Sequence, residues 1–402
     1  MDASVAPRPI DLATLLDPIS TGDFFEHYWE QKPLHIRRDS LAYYASVATN
    51  EDLERVISSG DLRYPALQLA RNGGYFPADA YTQNLKHGTE TFVGVPDLEK
   101  VLTEYRSGTT LVLPALHRSY APLRKACAAL EAYFDHAVHA NAYLTPGRAV
   151  GFSPHYDTHE VFVLQIAGRK HWRVYEPPVK LPHRTQPFSP IGYTAPAPLL
   201  ELQLLPGDLL YLPRGYVHSA LTSDSHSTHV TIGITVYTWV ELLTEVMNAS
   251  RNVEGMRRAL PPGFASHAKD VASLESGLLE RLDVLREGVR AGGAGEAFLR
   301  KVRGARSRPS VTFESNVNVI TLDTRLRVRA NDARVETTEH GTTVLHFDGT
   351  RRNLPAAIRT TLEAICARVT FRLSDLPKDV DDNARLAFAR FLEVEGFLAQ
   401  VA

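Results

Sequence analysis

The sequence predicts a mixed α+β chain whose centre is a small antiparallel barrel of the jelly-roll kind, with helices before and after it. Two observations carry this. Residues 136–238 are short apolar or alternating runs separated by turn residues, closing with His229-Val230-Thr231-Ile232-Gly233-Ile234-Thr235-Val236. The flanking segments instead carry apolar residues at helical spacing.

Residues 1–40 read as a helical entry, with Phe24, Phe25, Tyr28 and Trp29 at helical spacing and Pro33 as the stop. Such an aromatic stripe belongs to a core rather than a ligand site. Residues 41–135 are mixed, and Ala121–Phe134 has an amphipathic pattern through Leu123, Cys127, Leu130 and Phe134. From Trp239 to about Arg303 the pattern turns helical, with stripes at Leu242, Leu243, Val246, Met247 and at Leu274, Leu278, Leu279, Leu282, Leu285. Pro261-Pro262-Gly263 separates them. After an Arg/Ser/Pro-rich linker at Ala305–Pro309 come alternating stretches around Val317–Ile320, Leu326–Val328 and Thr343–Phe347. A turn at Asp348-Gly349 and helices around Leu354–Cys366 and Ala384–Glu395 follow. The expected domains are 1–238, 239–304 and 305–402.

Composition narrows the function classes. The chain has 402 residues, enough for two or three domains, with 44% hydrophobic residues and a formal net charge of −2. That balance supplies no global basic field for nucleic acid. From Pro309 to the end, twelve Lys/Arg against thirteen Asp/Glu leave −1. Cys127 and Cys366 form neither a zinc pattern nor a disulfide framework and read as small packing residues. No apolar signal core or membrane-length apolar run occurs, so a cytoplasmic location is the expectation.

The chemistry gathers at His155 and Asp157, with His218 sixty-three residues later. Two imidazoles and one carboxylate can occupy one face of an iron(II) ion and leave three positions open. Val161-Phe162-Val163-Leu164 reads as a strand after the first pair, and residues two apart on a strand share a face, so His155 and Asp157 can both point inward. Leu205-Pro206-Gly207-Asp208 turns into a second strand, Asp208–Pro213, which places His218 near the end of a hairpin. Lys170, fifteen residues after His155, is expected at the start of the next strand, where its ammonium could reach a dicarboxylate held on the metal. Asn141, Tyr143 and Thr145 alternate on one strand face upstream. His159 is expected on the face of His155 and Asp157, in a pocket-lining role rather than as a fourth ligand. His171, His226 and His229 read as structural neighbours.

Together, Asn141–Pro146, Pro154–Asp157, Val161–Gln165, Gly168–Tyr175, Leu212–Gly215 before His218, Ser225–Thr231 and the entry segment Phe25–Arg37 resemble the JmjC-type 2-oxoglutarate oxygenases. More narrowly they resemble the ribosomal oxygenases, also called cupin-4 proteins, over essentially the whole chain. The resemblance implies a double-stranded β-helix core, a helical dimerisation region and a winged-helix-like C-terminal domain. It implies iron(II) held by His155, Asp157 and His218, and 2-oxoglutarate as co-substrate. Lys170 would then meet the distal carboxylate, helped by Asn141, Tyr143 and Thr231. It also implies a homodimer that uses dioxygen and acts on a ribosomal protein or another peptide; the charge balance gives no expectation of nucleic-acid binding. A histidine side chain is the favoured target, because Lys170 stands where the arginine-hydroxylating branch tends to use arginine. Arginine hydroxylation and peptide natural-product tailoring are the nearest alternatives. A cupin isomerase without 2-oxoglutarate and a non-catalytic binding module are the alternatives from other classes. His159 departs from the apolar or aromatic residue that related sequences more often carry there.

Overall fold

The computed structural model of the chain describes residues 10–38, 40–149, 152–262, 264, 270–290, 294–305, 320–330, 332–338, 341–348, 350–378 and 380–401. The chain forms two compact units, Met1–Thr238 and Trp239–Ala402.

Thirteen described strands belong to the first unit. They are β1 (Leu34–Ile36), β2 (Gln68–Arg71), β3 (Gly74–Tyr75), β4 (Thr82–His87), β5 (Glu90–Pro96), β6 (Thr110–Leu113) and β7 (Ala137–Thr145). Then come β8 (Glu160–Gly168), β9 (Lys170–Tyr175), β10 (Leu200–Leu204), β11 (Leu209–Leu212), β12 (Val217–Leu221) and β13 (Ser227–Thr235). Eight of them make one sheet in the order β1-β11-β8-β13-β7-β6-β2-β3, three make a smaller sheet in the order β10-β9-β12, and β4 and β5 pair separately.

Alternation explains how the two sheets close on each other. On β8, Val161 and Val163 pack with Trp172, Val174 and Leu204 of the small sheet. The residues between them, Phe162 and Leu164, turn the other way into the main core. The strand is therefore buried on both faces, and its run of apolar residues is what such a central strand needs. On β7, Ala140, Ala142 and Leu144 enter the main core, which leaves Asn141, Tyr143 and Thr145 on the face toward the small sheet.

Helix Ala121–Phe134 has the expected bounds, with Pro122 in its first turn and Leu123, Ala126, Cys127 and Leu130 buried. The N-terminal aromatics are core, as expected: Phe24 meets Tyr211 edge-on at 4.9 Å and Trp29 stacks on Phe134 at 4.9 Å. The entry is not one helix, however. Helices Leu12–Leu16 and Thr21–His27 are separate, and Trp29 lies beyond the second, just after its C-terminal cap at Tyr28. A buried polar cluster ties this entry to the barrel. Arg214 Nη1 donates to Glu160 at 2.7 Å and to Glu30, and the Tyr211 hydroxyl donates to Glu160 at 2.5 Å. Glu160 is fully buried, and burial pushes its carboxyl up despite the arginine.

The second unit begins with helices Trp239–Ser250, Glu254–Arg257, Asp270–Arg290 and Ala294–Ala305. Two three-stranded sheets and helices Arg359–Cys366 and Asp382–Val394 follow around their own core, in which Leu326, Leu345, Leu362, Leu392 and Phe397 are fully buried. Gly263, Gly349, residues 306–309 of the expected linker and 317–319 of the first expected stretch lie outside the described residues. Among the described residues no helix is long and apolar enough to cross a membrane.

Candidate active site

Sheet register, more than local sequence, assembles the chemistry. His155 and Asp157 do not sit on a regular strand as expected, because β8 starts only at Glu160. They lie on the approach to it, pinned by backbone. His155 N–H donates to the His218 carbonyl at 3.2 Å, His218 N–H to the His155 carbonyl at 2.8 Å, and Gly215 N–H to the Asp157 carbonyl at 3.0 Å. Nor does His218 end a hairpin. The chain leaves β11 in the large sheet and enters β12 in the small one, so the connection crosses between layers and His218 is the second residue of β12. The outcome is still the predicted trio: ligand atoms of His155, Asp157 and His218 all lie within 4.8 Å of one another.

The electrostatics suit a cation. His155 Nδ1 faces the Ser153 carbonyl at 2.8 Å and His218 Nδ1 the Tyr216 carbonyl at 3.1 Å. A carbonyl accepts only from a protonated nitrogen, so each ring carries its proton on Nδ1 and presents a bare Nε2. His218 Nε2 lies 3.6 Å from Asp157 Oδ2. Burial, and then the charge of His155, push the His218 imidazole down to about 4, which keeps it neutral. Burial works against the Asp157 carboxylate, but the neighbouring charges of His159, His218 and His155 outweigh it and hold the group ionised. Two imidazoles and one carboxylate within reach of one point are the donor set of the facial triad, so the residues fit iron(II). His159 falls outside this cluster.

A pocket of about 670 Å³, counted with its open mouth, is lined by the trio together with Asn141, Tyr143, Lys170 and Thr231. Lys170 begins β9, as the sequence implies, and is 4% exposed. Its ammonium donates to Thr145 Oγ1 at 3.1 Å, and among the described residues no carboxylate pairs with it. Desolvation pushes it down to about 7. A buried cation without an anion is costly, and a carboxylate ligand would relieve that cost. The pocket thus fits a dicarboxylate with one end on the metal.

Thr231 pairs with Asn141 across β13 and β7, and both line the pocket with Tyr143. Asn141 also has a structural duty, since its Oδ1 accepts from Ala115 N–H at 2.9 Å. His229 stacks on Tyr143 with ring centres 4.8 Å apart and lines the same pocket, which sequence reasoning left as a structural neighbour. Trp172 and Phe152 are further lining residues that the sequence did not flag. The alternation of β9 could have found Trp172, two residues after Lys170. His171 points away toward Glu201, and the His226 carbonyl accepts from Arg169 N–H at 3.1 Å.

Residues 116–242 match the JmjC domain. Over 265 residues the chain is 32% identical to the bifunctional lysine-specific demethylase and histidyl-hydroxylase NO66 of Drosophila grimshawi, covering 64% of this chain and 35% of that protein. It is 33% identical to ribosomal oxygenase 2 of Bos taurus over 296 residues, covering 69% of this chain and 60% of that protein. The chain thus spans less than two thirds of the length of these relatives. The crystal structure of Escherichia coli ribosomal oxygenase YcfD superposes with a TM-score of 0.50 at 15% identity, covering 95% of this chain and 98% of that one. That likeness speaks for the fold.

Proposed function

We propose that this chain, a JmjC-domain relative of the ribosomal oxygenases, is an iron(II)- and 2-oxoglutarate-dependent protein hydroxylase acting on a histidine side chain of a ribosomal protein. The carrying observation is the conjunction, in one pocket, of the His155–Asp157–His218 cluster with the buried Lys170, which no carboxylate among the described residues pairs with. Iron(II) with 2-oxoglutarate and dioxygen supplies the oxidation: the keto acid leaves as succinate and carbon dioxide while one oxygen atom enters a C–H bond of the target. The protein's part is placement. His155, Asp157 and His218 would hold the metal through three donors and would leave coordination positions for co-substrate and dioxygen. Lys170 takes the distal carboxylate in a charge-assisted contact that burial strengthens, with Thr145, Asn141, Tyr143 and Thr231 as hydrogen-bonding neighbours.

The histidine target rests on Lys170 standing where the arginine-directed branch tends to carry arginine, and on the histidyl-hydroxylase name of the Drosophila relative. The test is the intact mass of ribosomal proteins incubated with enzyme, iron(II) and 2-oxoglutarate, followed by fragmentation. A gain of one oxygen atom on histidine supports the reading; oxygen on arginine, or on no protein residue, overturns the assignment.

Assembly belongs to the same reading. Leu243 and Met247 on helix Trp239–Ser250, and Leu278, Leu279 and Leu282 on helix Asp270–Arg290, are between 48% and 64% exposed. This helical region is the homodimer interface in our reading, and the 305–402 region is a winged-helix-like domain that does not recruit nucleic acid.

A further inference from the structure

We propose that His159, braced by His139, is the specificity-determining residue that receives the target side chain beside the metal and favours an uncharged hydrogen-bonding group over a guanidinium. The inference rests on the oxygenase reading above and concerns a position where this chain departs from the apolar or aromatic residue that related sequences more often carry.

His159 lines the pocket yet lies outside the ligand cluster. Its position relative to the co-substrate anchor can be read along β7. Thr145, which holds the Lys170 ammonium, is near one end of that strand, and His139, whose ring meets His159 edge-on at 4.8 Å, is near the other. Six residues of strand separate them by roughly 20 Å. The same polarity holds on β8, where His159 precedes the first residue and Lys170 follows the last. A co-substrate reaching from the metal to Lys170 therefore runs away from His159 and leaves that end for the target.

The space for the two rings depends on one residue. Gly233 on β13 pairs directly with His139. A side-chain carbon there would lie 2.4 Å from the His139 ring and 2.7 Å from the His159 ring. No larger residue is compatible with this arrangement. The charge inventory completes the argument. Among the described lining residues the single carboxylate is Asp157, which belongs to the ligand trio. A guanidinium would enter a pocket holding a lysine and several imidazoles with no free anion to meet it, whereas an imidazole or amide needs only hydrogen-bond partners.

The test uses the full chain loaded with manganese(II) and 2-oxoglutarate. The probes are N-acetylhistidine methylamide and N-acetylarginine methylamide, and the readout is paramagnetic broadening of each probe's side-chain protons. Wild type is expected to broaden the histidine probe and not the arginine probe. His159→Val should reduce that broadening about tenfold, His159→Gln should restore much of it, and 2-oxoglutarate affinity should stay within about twofold in both. Equal broadening by wild type and His159→Val, a preference for the arginine probe, or loss of 2-oxoglutarate affinity together with probe binding overturns the proposal. Failure of the wild-type chain to bind manganese(II) and 2-oxoglutarate at all would instead count against the oxygenase reading.

Discussion

His155 and His218 each engage one ring nitrogen with a backbone carbonyl two residues back, at Ser153 and Tyr216. This fixes the tautomer before any metal arrives. Replacing His155, Asp157 or His218 with alanine should lower succinate formation by at least about a hundredfold, more than loss of an outer-shell partner costs. The far-ultraviolet circular dichroism should be unchanged, and full activity in two of the three variants would contradict the assignment. Lys170→Ala should raise the apparent Kd for 2-oxoglutarate by roughly tenfold to over a hundredfold, the equivalent of about 1.5–3 kcal/mol for a charge-assisted contact. The lysine also carries a pH signature. Burial lowers its pKa to about 7 in the ligand-free chain, and a bound carboxylate raises it again. Above that pH, binding must therefore take up a proton, and affinity must fall as pH rises. Calorimetry at pH ~8 in buffers of differing ionisation enthalpy should report close to one proton taken up, a number that Lys170→Ala should abolish. The trio and Lys170 were legible in the sequence because their residue types are unusual together. His139 and Gly233 were not, because their role comes from cross-strand pairing, which no local pattern specifies.

Between β8 and β9 the chain turns at Gly168, whose φ of +63° lies in the left-handed region. A side-chain carbon there would fall 1.9 Å from the His226 carbonyl oxygen. Because this turn aims Lys170 into the pocket, Gly168→Ala should both destabilise the fold, by about 2 kcal/mol or more, and weaken 2-oxoglutarate binding. Chemical denaturation alongside calorimetry checks both, and unchanged co-substrate affinity would show that β9 is placed by its neighbours alone. The Glu160–Arg214 pair is the second such fixture. Arg214→Met leaves a buried carboxylate without its partner and should cost about 3–5 kcal/mol in the same denaturation experiment. At this scale the periodic elements were readable: helix Ala121–Phe134 and the alternation of β7 stand as the sequence implies. What misled was continuity. An apolar run after Asp157 suggested that the strand already included His155, and a turn before β11 suggested a hairpin for His218. In a two-layer barrel successive strands change sheets, and short-range pattern does not record the change.

At the scale of the molecule, two units divide at Thr238, where strand alternation gives way to helical spacing. The apolar residues exposed on the helices that follow predict a dimer in sedimentation at micromolar concentration, and a monomer there would reject that interface. With a net charge of −1 after Pro309, the C-terminal region should form no salt-sensitive, sub-micromolar complex with duplex DNA. The central claim is that the pocket between the two sheets couples 2-oxoglutarate oxidation to hydroxylation of a protein. The most direct measurement is turnover under isotopically labelled dioxygen, with succinate and the ribosomal-protein product both analysed by mass spectrometry. The account predicts one labelled oxygen atom in succinate and one on a histidine of the product, in equal amounts. Succinate without label, or no consumption of 2-oxoglutarate with or without the protein substrate, would contradict it.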